Sequence, residues 1–164
     1  MPSPSAAALE MSFSSTNSQG PTMNWAYSDD PPGGTWQPAG QAKMVVASNT
    51  PIRFYVYDTG TYNPGQKAPS VAEVTITGWE KHTGEFDTPF SSWQNNPEGF
   101  TGPPALTYLG PNANSVGLNL QNVRGWQVGP FEADQTGDYQ FAVNVTLNNG
   151  TQFSVDPEME VTGG

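Results

Sequence analysis

Hydrophobic and polar residues alternate most regularly near the end of the chain. Every second residue of one run is aromatic or aliphatic: Tyr139, Phe141, Val143, Val145 and Leu147. A period of two is typical of a β-strand that covers a core with one face. After Asn148, Asn149 and Gly150, a second run carries Phe153, Val155, Met159 and Val161. Glycine at the third turn position adopts the left-handed conformation without the steric cost of a Cβ atom. The pattern therefore predicts a β-hairpin.

Shorter runs of the same kind recur upstream. The predicted strands there are residues 9–13, 23–27, 43–47, 52–57, 71–77, 116–120 and 125–131. No segment combines a helical period with capping residues. Many short strands between Gly, Pro and Asn turns favour an antiparallel sandwich or barrel, and we predict an all-β, two-sheet antiparallel sandwich.

The length of 164 residues suits one domain. Residues 1–8 are small and rich in Pro and Ser, so we predict a flexible tail followed by a single β-sandwich domain over residues 9–164. Two predicted loops break the regular spacing: residues 28–42 around Trp36, and residues 80–115. The second is long for a compact domain and carries five large aromatic residues, so we interpret it as an ordered insertion.

Composition narrows the function classes. The chain has no cysteine, which excludes disulfides and thiolate metal sites. Its 5 basic and 15 acidic residues give a net charge of −10, which disfavours nucleic acid as a partner. No apolar run is long enough to cross a bilayer, so we expect no membrane insertion. The low charged fraction of 12% favours an extracellular or cell-surface protein, although a leaderless cytoplasmic one fits as well.

The start of the predicted hairpin resembles a known structural motif. Asp134, Gly137, Tyr139 and Phe141 are similar to the tyrosine corner of immunoglobulin-like domains, with one extra residue between Asp134 and Gly137 and with Phe141 in the place of the antibody cysteine. The resemblance implies an immunoglobulin-like Greek key in which the Tyr139 hydroxyl bonds to upstream backbone. It carries a fold and no function.

A second resemblance concerns the last strand. Asp156 and Pro157, followed by alternating residues up to Val161, are similar to the C-terminal end of the bacterial inclusion-body protein family. The hydrophobic opening strand expected of that family is absent here. The resemblance implies accumulation or assembly and supplies no catalytic residues.

Exposed aromatic residues are candidates for ligand binding. If Ile52, Phe54 and Val56 face the core, Arg53, Tyr55 and Tyr57 lie on the opposite face of the same strand. Tyr and Trp rings stack on sugars, and Trp36 and Trp93 on the loops extend such a platform. The alternative is that the long loop folds back and buries Tyr55, Tyr57 and Trp93. Trp79 and Trp126 we assign to packing.

Acidic residues of the last strand have two possible roles. Asp156, Glu158 and Glu160 share one face and, with Asp29 and Asp30, offer oxygen ligands for calcium. Alternatively, they and Pro157 prevent edge-to-edge pairing at a sheet edge.

Catalytic groups are scarce. His82 is the only histidine, without a nucleophile elbow nearby. Paired carboxylates for glycoside hydrolysis would have to come from Glu85, Asp87 and Glu98. We therefore predict a non-catalytic protein without cofactors that acts through surface contact. A structural, self-associating or cell-surface role comes first, a carbohydrate-binding module second and a glycoside hydrolase-like enzyme third. The expected partner is a second copy or another protein, alternatively a glycan.

Overall fold

A computed structural model describes residues 7–16, 23–28, 43–60, 65, 69–85, 87–95, 101–102, 106–115 and 118–163. These ranges form twelve β-strands and no helix, so the all-β prediction is confirmed. The strands are β1 (Ala7–Phe13), β2 (Asn24–Ser28), β3 (Met44–Ala47), β4 (Thr50–Asp58), β5 (Val71–Glu80), β6 (Gln94–Asn95), β7 (Thr101–Gly102), β8 (Thr107–Ser115), β9 (Leu120–Ala133), β10 (Gly137–Leu147), β11 (Gln152–Val155) and β12 (Glu158–Thr162).

The first sheet has the strand order β2-β1-β4-β9-β8. Strands β1 and β4 are parallel, with Leu9 opposite Phe54, and the other neighbours are antiparallel. Among the strands that the structure describes, β8 is therefore the outermost on one side of this sheet. Strands β6 and β7 form a separate short pair.

The second sheet centres on β10, which pairs along one edge with β5. Along the other edge it pairs with β11 and then β12 in one continuous register, from Thr146 opposite Gln152 to Gly137 opposite Val161. The break between β11 and β12 falls at Pro157, whose carbonyl accepts a hydrogen bond from the Phe141 N–H at 2.9 Å. Strand β3 pairs with β12 in parallel.

Both sheets are thus mixed and neither closes into a barrel. The prediction of a purely antiparallel sandwich is wrong in this respect. Parallel neighbours are joined by crossover connections rather than by tight turns. Turn residues in the sequence reveal hairpins and leave such distant pairings invisible.

The core lies between the two sheets. The Phe13 and Phe153 rings meet across it with centroids 5.1 Å apart, and Phe54 meets Phe141 at 5.6 Å. The predicted inward residues of the hairpin strand, from Tyr139 to Leu147, are all buried. This arrangement is a β-sandwich-like packing of two sheets over one hydrophobic core.

The C-terminal hairpin has the turn that the sequence predicts. The Leu147 N–H donates to the Thr151 carbonyl at 2.9 Å, and Gly150 has a φ of +89°. At the start of the hairpin, the Tyr139 hydroxyl donates to the carbonyl oxygens of Gln135 and Thr136, both at 3.2 Å. Gly137 has a φ of +148°, and a Cβ atom there would lie 3.2 Å from that hydroxyl.

Several boundaries differ from the prediction. Strand β1 begins at Ala7, which is buried, so the last two residues of the predicted tail belong to a strand. The predicted loop over residues 80–115 contains β8. Most residues of this strand are exposed on both faces, so hydrophobic and polar residues do not alternate along it. Within the predicted strand at residues 116–120, residues 118–119 form a turn and Leu120 begins β9, while residues 116–117 lie outside the described residues.

Candidate functional site

The predicted aromatic platform on β4 is covered at one of its two tyrosines. Tyr55 and Tyr57 lie on the outer face of the first sheet with parallel rings 6.1 Å apart. Tyr57, however, is only 2% exposed, so the prediction of an exposed ring is wrong for this residue. Burial, followed by the nearby Glu10 carboxylate, raises the pKa of Tyr57 above its usual value. Arg53 and Tyr55 stay partly exposed.

Groups from neighbouring strands lie close to the Tyr57 ring. The Glu10 carboxylate is near Tyr57 and accepts a hydrogen bond from the Leu118 N–H at 3.2 Å. Gly125 permits the close approach, since a Cβ atom there would lie 2.9 Å from Ala113 Cβ and 3.0 Å from the Tyr57 ring. A glycine within a strand often marks such a close approach.

Trp93 is a core residue and not part of an exposed platform. It is 4% exposed and packs with Phe54, Phe90, Phe131 and Phe141 at centroid distances of 4.8 to 6.0 Å. The fold-back alternative therefore holds for Trp93, whereas Tyr55 stays partly exposed. Trp36 lies outside the described residues.

The segment that carries Trp93 is tied to the start of the hairpin. Asp134 accepts hydrogen bonds from the Ser91 N–H at 2.9 Å and from the Ser91 hydroxyl. Partial burial acts to raise the pKa of Asp134, but the two bonds from Ser91 outweigh it and hold the pKa below its usual value. Asp134, in the connection between β9 and β10, thus holds the segment that carries Trp93.

A second aromatic group remains open. The Tyr108 and Trp126 rings lie 5.3 Å apart on neighbouring strands, and the Arg124 guanidinium lies 5.4 Å from the Trp126 ring centroid. Tyr108 is 50% exposed, and Leu109 next to it is 38% exposed. The outermost strand β8 therefore presents large apolar side chains to solvent. Because residues 80–115 are predicted as a loop, the sequence does not predict strand β8.

The Arg124 guanidinium is held by hydrogen bonds to a carboxylate and to a backbone carbonyl. Its Nε donates to Asp58 Oδ2 at 3.1 Å, and its Nη1 donates to the Pro69 carbonyl at 3.0 Å. Asp58 is buried and also accepts bonds from the Ser15 and Gly60 N–H groups at 2.9 and 2.8 Å. Buried charges are tolerated when they are paired and hydrogen-bonded in this way.

Acidic residues of β12 are engaged in ion pairs. Glu160 contacts Lys43 at 2.6 Å, and Glu158 contacts Lys81 at 3.0 Å. Lys43 also contacts Asp138 at 3.0 Å. The hydrogen bonds to Glu160 and Asp138 raise the pKa of Lys43 to about 12.

The two roles proposed for these acids both require correction. Asp156 is exposed at the break before β12, and no group of three or more acidic or histidine side chains among the described residues is placed to hold a metal ion. The edge interpretation is wrong for Glu158 and Glu160, because β12 lies between β10 and β3. The sequence did not reveal the parallel neighbour. Asp29 and Asp30 lie outside the described residues.

The candidate catalytic residues are spread over an exposed turn. The His82 side chain is 75% exposed, and its Nε2 lies 3.1 Å from Asp138 Oδ2. Glu85 and Asp87 are exposed, and Glu98 lies outside the described residues.

Trp79, assigned to packing by the sequence, lies on the outer face of the second sheet. It is opposite Gln140 on β10, and it is partly exposed. Thr75 and Thr77 precede it on the same face, while Ile76 and Gly78 point inward and are buried. Thr75, Thr77 and Trp79 occupy every second position of the sequence, and this alternation indicates that they share one surface of the sheet.

The described part of the chain contains no helix long and apolar enough to cross a membrane. The chain matches no protein-family model, and neither curated proteins nor solved structures give a match.

Proposed function

We propose that this chain is a non-catalytic β-sandwich protein that acts through surface contact and associates with further copies of itself along β8. The observation that carries the proposal is the exposure of this strand. Among the described strands, β8 is outermost in the first sheet and presents both Tyr108 and Leu109 to solvent. An edge strand offers unpaired backbone N–H and C=O groups to a second strand.

Charge favours a second copy as the occupant of this edge. Two molecules that each carry a net charge of −10 repel each other over most of their surface. Strand β8, however, contains no charged residue along its nine positions. Two β8 edges can therefore meet in an isologous contact without placing like charges opposite each other.

Features of the strand limit the strength of the contact. The pairing between β8 and β9 shifts register at three places, and Pro111 lacks an N–H group. Bulges and proline are devices by which edge strands avoid uncontrolled pairing. The regular part near Tyr108 and Leu109 is short, so we expect a weak, concentration-dependent association.

The position of the titratable groups supports a non-catalytic role. His82, Glu85 and Asp87 are exposed side chains in the turn after β5, and the His82 imidazole faces Asp138, itself bonded to Lys43. General acid–base catalysis calls for groups that converge on a substrate.

An immunoglobulin-like Greek key is the finer fold that we propose. Support comes from the Tyr139 hydroxyl, which bonds to backbone three and four residues upstream as in a tyrosine corner. The parallel pairing of β3 with the last strand is compatible with this proposal.

Light scattering coupled to size-exclusion chromatography over a concentration series tests the self-association. We expect the average mass to rise above the 17.5 kDa monomer mass as concentration increases. The Leu109→Lys variant, which places a charge on the edge, should shift the rise to at least about tenfold higher concentration. Val45→Lys is the matched control, because Val45 is another exposed apolar strand residue and lies on β3.

A strictly monomeric protein at high concentration would overturn the proposal. So would a Leu109→Lys variant that associates as the wild type does, or a Val45→Lys variant with the larger effect.

A further inference from the structure

The outer face of the second sheet carries a regular polar surface around one tryptophan. We call it the threonine–tryptophan face, and it consists of Thr75, Thr77, Trp79, Gln140, Asn144 and Ser154. Cross-strand pairing places Trp79 beside Gln140, and Thr75 beside Asn144, which in turn lies beside Ser154. The pairing of β5, β10 and β11 has an unbroken register over these residues. The face is therefore formed by strands and not by loops.

The six residues of this face are uncharged, although the chain carries a net charge of −10. Acidic residues border them on the same outer face: Glu73 lies two positions before Thr75, and Asp156 lies two positions after Ser154. At the end near Trp79, Glu158 is neutralised by its ion pair with Lys81 at 3.0 Å. An anionic partner would be repelled by the protein as a whole.

The side chains of the face match a polyhydroxyl ligand. Hydroxyl and amide groups both donate and accept hydrogen bonds, as sugar hydroxyls do. Thr75 on β5 lies directly opposite Asn144 on β10. Thr77 lies on β5 between Thr75 and Trp79. A tryptophan ring supplies an apolar surface with a polar N–H at its edge.

We propose that the threonine–tryptophan face binds a neutral polysaccharide, with the Trp79 ring stacked on a sugar ring and the flanking amides and hydroxyls bonded to its hydroxyl groups. A protein partner fits less well, because protein interfaces concentrate several aromatic and apolar residues at their centre. Trp79 is the single aromatic side chain of this face.

Depletion of the protein from solution by insoluble cellulose, chitin and starch granules tests the proposal. We expect at least one of the three to remove the wild-type protein. Trp79→Thr, which continues the threonine pattern of β5, should weaken this binding about tenfold or more, since removal of a central aromatic anchor usually costs most of the affinity.

Asn144→Asp keeps the shape of an exposed residue and adds a charge, and we expect a several-fold weaker binding from it. Tyr108→Ser on β8 is the control and should bind as the wild type does. Circular dichroism melting verifies that each variant is folded.

Two results would overturn the proposal: wild-type protein that stays in solution with all three polysaccharides, or Trp79→Thr and Asn144→Asp proteins that bind like the wild type. Self-association is tested by Leu109→Lys on a different sheet, so each of the two proposals can fail while the other stands.

Discussion

Two groups of aromatic residues that include residues of β9 differ in their exposure to solvent. Near its end, Phe131 packs against Phe90 and Trp93, both of which are buried. Earlier in the same strand, Trp126 packs against Tyr108, half of which is exposed. The residue types are alike, and both groups belong to the same long strand.

The difference lies in what each group packs against. The segment around Ser91 folds into the core and is held there by Asp134. At the other group, Arg124 lies over Trp126 and is bound to the buried Asp58. Burial of an aromatic residue thus depends on whether another segment is fastened over it. The first group is enclosed in the core, whereas in the second Trp126 also stacks on the buried Phe13 and only Tyr108 stays half exposed.

The largest expected effect is at the buried group. Trp93→Ala should lower the free energy of unfolding by about 3–5 kcal/mol, because it leaves a cavity among four phenylalanine rings. Urea unfolding followed by circular dichroism measures this. Trp93→Phe is the matched control and should cost less, since the buried indole N–H has no hydrogen-bond partner among the described residues. A loss below about 1 kcal/mol for Trp93→Ala would remove Trp93 from the core.

Next in size is the ion pair beneath the open group. Arg124→Met should lower the free energy of unfolding by about 2–3 kcal/mol, because it leaves the buried Asp58 carboxylate with fewer partners. Urea unfolding at pH 7 provides the measurement. Arg53→Met, on the partly exposed outer face, should have a smaller effect. Equal effects of the two variants would contradict the role of Arg124.

A smaller effect concerns the bond that holds the Ser91 segment. Asp134→Ala should cost about 1–2 kcal/mol at neutral pH, because it removes two hydrogen bonds to a carboxylate. The pKa of Asp134 is lowered in the folded protein, so its contribution is present above the unfolded pKa of about 4 and is lost as the pH falls through the lower folded value.

Urea midpoints measured between pH 7 and pH 2 test this prediction. The difference between wild type and Asp134→Ala should shrink at the acidic end. A difference that stays constant over this range would mean that the carboxylate charge does not hold the segment.

The smallest effect on stability is expected at the open group. Tyr108→Ser should change the free energy of unfolding by no more than about 0.5 kcal/mol, since half of the Tyr108 surface is already exposed. The same variant should reduce self-association in light scattering. Destabilisation comparable to that of Trp93→Ala would erase the contrast between the two groups.

Local patterns predicted the C-terminal hairpin well. Its inward residues from Tyr139 to Leu147 are buried, Gly150 has positive φ, and the Tyr139 hydroxyl bonds upstream backbone. Each of these features depends on residues close together in the chain. Trp79 shows the limit of such reasoning. The sequence places it in a strand but does not show which face of the sheet it occupies.

Features that join distant segments were predicted poorly. The neighbour of β12 is β3, more than a hundred positions upstream, so an apparent edge strand lies inside the sheet. Tyr57 alternates as an exposed residue should, yet it is only 2% exposed and lies near the Glu10 carboxylate. Trp93 could have been a platform or a core residue until the segment around Ser91 was placed.

Alternation by itself determined that the chain forms strands, where the final hairpin turns and which of its side chains face inward, because side-chain direction in a strand follows from the backbone. Only the tertiary structure decided that the sheets are mixed, which outer face is covered and which aromatic group remains open. These outcomes depend on contacts between segments far apart in the chain, and the spacing of residues along one strand carries no information about what packs on top of it.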